Sequence, residues 1–512
     1  MALILYLIAA SPAILLLYHI LDYLVDAKSL RRFPAPGIAG LTDLWALRFH
    51  WTNNRFRAVH DAHERLGPIV RIQPRHISFT SPQALKEIYG HGSLIQKGDY
   101  YDNIAGDYHD VANATDKEEH SRKRRIMSHV FSQKHVLTME EVINEVLGKL
   151  VMALDERSAQ SIDIRYWFNL FTFDAISSLA FAQPFDFLTS GEDLTMGERD
   201  DGSTYPIKIV QTFHDATTYA AFMGHARPFL SNIIHKIFSL ARNHGAMCLE
   251  DFGNMCRFKT NLRLASGKGE RVDFFSKLEE VPKGQTDPLP HGEQIAESAI
   301  MLNAGSDTTA SGLTNTLYLL ASHPATLRKL REELSAVMGS ESTTPAFDKL
   351  MACPYLRACL DESLRLRPPV AIGLPRVTPP QGATVCGHFI PGGVTVSVPI
   401  LEINRHKDLF VRPDDFDPER WFDEKQLPNL KTYVQPFSIG NRVCIGRNLA
   451  MIELTKVVAT VVNRYDIELQ QDDLLFVERF NMNSGPCHVK LTRSEGGLKR
   501  ASDLDTLGVS VV

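Results

Sequence analysis

The residues with the clearest chemical capacity lie in one short run, Phe437-Ser438-Ile439-Gly440-Asn441-Arg442-Val443-Cys444-Ile445-Gly446. Two glycines flank a cysteine, so the backbone can turn tightly and approach a flat ligand where a Cβ would clash. The run feeds into the apolar stretch Arg447-Asn448-Leu449-Ala450-Met451, which reads as a helix. A thiolate at a helix N-terminus is stabilised by unpaired N–H groups and by the helix dipole. Arg442 adds positive charge that suits an anionic group on the ligand, and Phe437 can cover the sulfur against solvent. This environment predicts that Cys444 is a metal ligand and not a packed thiol. The other cysteines, Cys248, Cys256, Cys353, Cys359, Cys386 and Cys487, are dispersed and form no close pair suited to structural zinc. They read as small buried apolar residues, because an odd set in a long chain makes no disulfide framework.

Three further spacings carry chemistry. Ala304-Gly305-Ser306-Asp307-Thr308-Thr309 sits inside a long helical stretch, where hydroxyls bonding back to carbonyls weaken the helix locally. Glu362 and Arg365 are about one turn apart and share a helix face, with Pro418-Glu419-Arg420-Trp421 downstream. His120 and Arg124 also share a face, within His120-Ser121-Arg122-Lys123-Arg124-Arg125, so both can reach one anionic group.

The elements that must position these residues are mostly helical. Periodicity predicts helices over Glu118–Ser132, Leu137–Leu154, Ile295–Ser322, Ala325–Met338, Tyr355–Leu366 and Arg447–Arg464. Strand-like pieces are short: Ile69–Ile72, His76–Phe79, Thr384–Phe389, Val394–Pro399 and a C-terminal pair around Phe476 and Val489. Thr189–Ser203 and Val281–His291 are polar and read as surface loops. The expected fold class is mainly α with small β-sheets (α+β). Of the 512 residues 44% are hydrophobic and 22% charged, an ordinary globular composition, and the net charge of -5 gives no sign of nucleic-acid binding. Residues 1–24 are almost wholly apolar, long enough for a transmembrane helix, and Lys28, Arg31 and Arg32 follow, placing the C-terminal side in the cytosol. Residues 25–44 form a basic, proline-rich spacer, 45–491 the body, and 492–512 a polar tail expected to be disordered.

The ten-residue cysteine run resembles the haem-binding signature of the cytochrome P-450 superfamily at each defining position, and the other motifs follow in the order seen there. The resemblance implies haem b with Cys444 as axial ligand and Gly446 and Phe437 beside it. It implies that His120, Arg124, Arg376 and Arg442 bind haem carboxylates. Asp307 and Thr308 resemble the acid–alcohol pair that delivers protons to bound oxygen, in a groove opened in the helix. Glu362, Arg365 and Arg420 resemble a buried structural network. A thiolate ligand favours O–O cleavage, and this chain carries no flavin or nicotinamide fingerprint, so electrons must come from NADPH through a separate membrane-bound reductase. Arg122, Lys123 and Arg125 are expected on outer faces, available to dock that acidic partner. The implied location is the endoplasmic reticulum membrane, single-pass, with a cytosolic catalytic domain.

The stretches Arg32–Gly40, Arg71–His76, Tyr89–Gly92 and Gly373–Arg376 look most like a fungal branch of benzoate para-hydroxylases and secondary-metabolism enzymes. The family's pocket segments fall at Tyr100–Asn103, Ala299–Ala304, Val370–Leu374 and Phe480–Ser484, an apolar lining with a few amides and hydroxyls. A benzoate carboxylate needs a cation, and the nearest is Arg479, outside those segments. The expectation is therefore oxidation of a lipophilic natural product, with benzoate hydroxylation as the alternative. An isomerase or dehydratase that needs no electrons, or a haem-binding sensor, would tolerate loss of Asp307 and Thr308; both are present.

Overall fold

Asp116 opens the helix that carries His120: its carboxylate accepts from the N–H of Glu119 at 2.7 Å, and Glu118 and Glu119 complement the positive first turn. In the computed structural model, which describes residues 17–226, 228–267, 273–281, 288–338 and 344–494, this helix (α1) spans Lys117–Ser128. It stops short of the predicted Ser132 because Ser132 caps a separate short helix, accepting from the N–H of His135. The later helices are α2 (Glu140–Glu156), α3 (Ile164–Phe181), α4 (Ile209–Gly224), α5 (His244–Ser266), α6 (His291–Ala321), α7 (Pro324–Met338), α8 (Pro354–Leu366) and α9 (Arg447–Arg464). The last four match their periodic patterns to within a few residues. The sequence reading did not single out α3, α4 and α5. In α3 nearly every position is buried, so no polar face marks its period.

The main core lies where α2, α3, α6, α8 and α9 meet. Phe168, Phe171, Phe173 and Phe181 of α3 are fully buried, each stabilising the fold by roughly 1.5–3 kcal/mol. Gly305 of α6 faces Ile176 of α3 so closely that a Cβ would lie 2.8 Å from it. This glycine therefore allows two helices to approach, and α6 runs unbroken through it.

The strands are short. β1 (Ile69–Gln73) pairs antiparallel with β2 (His76–Phe79). β3 (Ser161–Asp163) edges a second sheet. β4 (Leu194–Glu198) and β5 (Thr204–Lys208) form a hairpin whose first strand and turn fall inside the stretch predicted as loop from Thr189 to Ser203. Asp201-Gly202 supply the turn, and polar residues on its exposed strands concealed the pattern. Thr384–Phe389 is likewise two strands, β7 (Ala383–Val385) and β8 (His388–Ile390), after β6 (Arg376–Val377). Cys386 and Gly387 turn between them with φ of 49° and 77°. β9 (Thr395–Ser397) joins β2 in parallel and β6 antiparallel, giving the order β1-β2-β9-β6. β10 (Tyr465–Leu469), β13 (His488–Arg493) and β3 form another sheet, while β11 (Phe476–Glu478) and β12 (Met482–Ser484) form a hairpin. Phe476 and Val489 thus belong to different sheets and are not partners.

Most of the predicted anchor, residues 1–16, and the tail from 495 lie outside the described residues. Residues 17–25 are helical. Among the described residues no helix is long and apolar enough to cross a membrane.

Candidate active site

The cysteine turn is fixed by its backbone. Cys444 N donates to Phe437 O at 2.9 Å and Val443 N to Gly440 O at 3.2 Å. Gly440 has φ of 74°, and a Cβ there would sit 2.1 Å from the Tyr89 carbonyl, so only glycine fits. At Gly446 a Cβ would meet no protein atom nearer than Cys444 Sγ, at 3.9 Å. The room beside the sulfur is left for something other than protein. Phe437 is half-buried beside the turn, its ring 5.9 Å from the Arg447 guanidinium.

Cys444 has exposed surface although it lies deep in the fold. Desolvation by the fold around it raises its thiol pKa. The N–H groups of Gly446 and Arg447 and the charge of Arg124 oppose that rise.

A cavity of about 650 Å³ lies alongside, lined by Lys97, His120, Arg124, Arg376, Arg442 and Val443 among others. Its cations have no acid within ion-pairing distance among the described residues. Arg124 Nη1 donates to Val443 O at 2.7 Å, and Arg442 to Ala114 O at 2.6 Å and Thr115 O at 3.3 Å. Arg376 Nη1 donates to Tyr101 Oη and Pro375 O, both at 2.9 Å. Lys97 Nζ donates to Ala112 O. Desolvation and the neighbouring Arg376 and Arg442 lower the Lys97 ammonium well below its ordinary value. Desolvation, then Arg442, Arg124 and Lys97, depress His120 to about 3, so its ring is neutral at ordinary pH. Four cations gathered without a carboxylate call for an anionic guest. A flat group carrying a metal for the sulfur and two carboxylates for these cations fits the cavity on both counts. Lys97 was not anticipated: a single lysine in Ile95-Gln96-Lys97-Gly98 carries no motif, and only the fold brings it beside Arg442.

On α6, Ile300, Ala304 and Thr308, each four residues apart, keep open surface on one face while most of their neighbours are buried. Thr308 Oγ1 donates to Ala304 O at 2.8 Å. Asp307 turns away from that face. Arg165 Nη2 donates to its Oδ1 at 3.1 Å, His214 Nε2 lies 3.1 Å from the same oxygen, and Asn483 and Asn481 donate to Oδ2. Burial works against ionisation here, but the hydrogen bond from His214 and the charges of Arg165 and Arg479 outweigh it. The Asp307 carboxyl is held well below its usual range. Behind Thr308, Thr309 hydrogen-bonds Glu453 of α9.

Two other motifs resolve clearly. Arg365 makes a bidentate pair with Glu362 at 2.9 and 2.8 Å, Arg420 Nε adds a bond at 2.7 Å, and Trp421 Nε1 donates at 3.0 Å. Glu362 and Arg365 are fully buried and Arg420 nearly so, which agrees with the structural reading. The basic run on α1 behaves differently from expectation. Lys123 points inward, pairing with Glu293 at 2.6 Å and Glu297 at 3.1 Å, and Arg122 also pairs with Glu293. Two acids on α6 one turn apart draw both cations in, and of the three only Arg125 stays exposed.

An open cysteine sulfur at the start of a helix, next to a cavity lined by acid-free cations, is an arrangement that suits a haem-thiolate protein. The chain belongs to the cytochrome P-450 family, whose profile matches residues 40–491. It is similar to a benzoate 4-monooxygenase, bphA, of Aspergillus niger, 34% identical over 90% of this chain and 92% of that one. A tryprostatin B 6-hydroxylase of Neosartorya fischeri is 30% identical, over 90% of this chain and 79% of that one. Like these relatives it is a monooxygenase, and the family's haem is held by a cysteine thiolate and receives NADPH electrons through a reductase.

Proposed function

We propose that this protein inserts one oxygen atom into a lipophilic small molecule, as a step in fungal secondary metabolism, with Cys444 as the iron ligand. The observation that carries this is the open Cys444 sulfur next to a cavity lined by acid-free cations, one of which, Arg124, is near enough to act on the thiol. Cys444 binds the metal as thiolate, with the N–H groups of Gly446 and Arg447 and the Arg124 charge holding its negative charge. His120, Arg124, Arg376, Arg442 and Lys97 hold the two carboxylates, and Phe437 shields the sulfur. When bound, haem supplies the redox chemistry of dioxygen.

Thr308, on the open face of α6, positions a proton at Oγ1. Asp307 stands behind it as a carboxylate, so to relay a proton it must first take one up, and because it is tied to Arg165 that requires the pair to open. Apolar residues Ile38, Leu44 and Trp51, which follow the anchor in sequence, remain exposed. They support a membrane-facing surface on a cytosolic body, 45–491, tethered to the endoplasmic reticulum by residues 1–24 through the spacer 25–44. Exposed Arg125 and Arg447 are the contacts left for an acidic reductase.

The similarity to a benzoate 4-monooxygenase favours para-hydroxylation of an aromatic acid as the second reading. The test of the site is Cys444→Ser in the purified haem-loaded protein. The long-wavelength carbon monoxide band of a thiolate-bound iron should vanish, while a band unchanged from wild type would refute the assignment.

A further inference from the structure

The hairpin β11–β12 reaches α6 with its tip, Arg479-Phe480-Asn481. Asn481 and Asn483 spend their amide N–H groups on Asp307, the neighbour of Thr308. Phe480 lies against Tyr100, ring centroids 6.4 Å apart. Asn103 donates to the Gly224 and Ala226 carbonyls. The amides that the sequence offered as polar handles for a substrate are thus largely consumed by the protein itself.

Arg479 is different. Its backbone N–H closes the tip by donating to Asn481 O at 2.8 Å, but its side chain makes no hydrogen bond or ion pair among the described residues. Its Nε is completely buried without a partner. Leaving a buried charged donor without a partner is costly. Nearby, Asp307 is already occupied by Arg165, with His214 and the two amides. Asp215, also within electrostatic range, is bound by His244 at 2.9 Å and Gln211 at 3.0 Å. Arg165 and Arg479 bring two positive charges against the single buried carboxylate of Asp307. One cation is in excess, and it is the one with free hydrogen-bonding capacity.

We infer that Arg479 is the recognition point for a carboxylate on the substrate, so that the oxidised molecule is an apolar acid and not a neutral lipophile. A guanidinium presents two parallel N–H donors that match a carboxylate, and burial strengthens such a pair. The inference rests on the monooxygenase reading, and it gives that reading a substrate class. Arg479 is a binding residue whose role is to orient the acid's apolar end toward Thr308.

The test uses the full-length holoenzyme and phenylalkanoic acids, from benzoate to 6-phenylhexanoate, each beside its methyl ester. Binding is read by the shift of the Soret band and, separately, by equilibrium dialysis. At least one acid should bind on the order of ten- to a hundredfold more tightly than its ester. Arg479→Gln should erase that preference, and Arg479→Lys should keep part of it. Esters binding as well as acids throughout the series, or an acid preference that survives in Arg479→Gln, would overturn the proposal. If Arg479→Gln does not fold, the wild-type comparison and Arg479→Lys still decide. Failure of the underlying reading looks different: the protein would show no Soret band, whatever dialysis reports about acids.

Discussion

Thr308 and Asp307 are adjacent in sequence and opposite in circumstance. Thr308 keeps its hydroxyl on the open face of α6, bonded only to a helix carbonyl, so it is free to exchange partners. Asp307 is locked by an arginine, a histidine and two amides. The alcohol, more than the acid, should control what happens to a proton at the site. Thr308→Ala is expected to leave cofactor binding intact while diverting most electrons from NADPH to hydrogen peroxide. Measured peroxide per NADPH should rise several-fold, because a positioned proton donor has been lost. Full coupling in the variant would remove Thr308 from the mechanism. At this scale the sequence identified the residue types and their spacing. It could not reveal that Asp307 faces Arg165, 142 residues away.

Among the elements, the decisive joint lies between α8 and the segment Pro418–Phe422. Glu362 accepts from Arg365, Arg420, Trp421 and the Asp417 N–H, all inside the fold. Each arginine also donates to backbone carbonyls, at Asn404, Pro413 and Asp415 for Arg365 and at Val411, Arg412 and Asp415 for Arg420. One carboxylate thus organises two guanidinia that in turn pin a long coil segment. Glu362→Gln leaves both charges buried without their anion, which should cost about 3–5 kcal/mol. Denaturant unfolding checks this, and a change under about 1 kcal/mol would mean that the network is dispensable. The pair within α8 was legible from its spacing of three. The third member was legible only through resemblance, because nothing in Pro418-Glu419-Arg420-Trp421 states where its arginine goes. Lys123 shows the converse: a basic run on an amphipathic helix suggested an outer face, and two glutamates on a distant helix drew it inward.

For the whole molecule, a buried acid at the crossing of α6 and α9 makes stability depend on pH. Glu453 is 2% exposed, and desolvation raises it to about 8 against an ordinary 4.5, with the Thr309 bond opposing. Between these values the folded protein holds a proton that the unfolded chain has released, so stability falls as pH rises through the window and the loss is complete above about 8. Glu297, raised to about 7 by burial against the pull of Lys123, acts with the same sign over a lower range. Melting temperatures measured from pH 5 to 9 should decline for the wild type. Glu453→Gln should flatten the decline between about pH 7 and 8, where Glu297 contributes little more. An identical slope in the variant would mean that Glu453 is ionised in the folded state.

The sequence by itself determined the ligand turn, the helices that flank it, and the mainly helical class. Those depend on local rules: glycine at a left-handed position, hydrophobic period, and a thiolate placed before a helix. Tertiary structure alone decided which charges remain unpaired. Lys97 and Arg479 are ordinary residues in the sequence; they matter because folding brings one beside other cations and leaves the other without an acid. Charge interactions depend on distance and burial, and for residues hundreds of positions apart only the packed chain sets either.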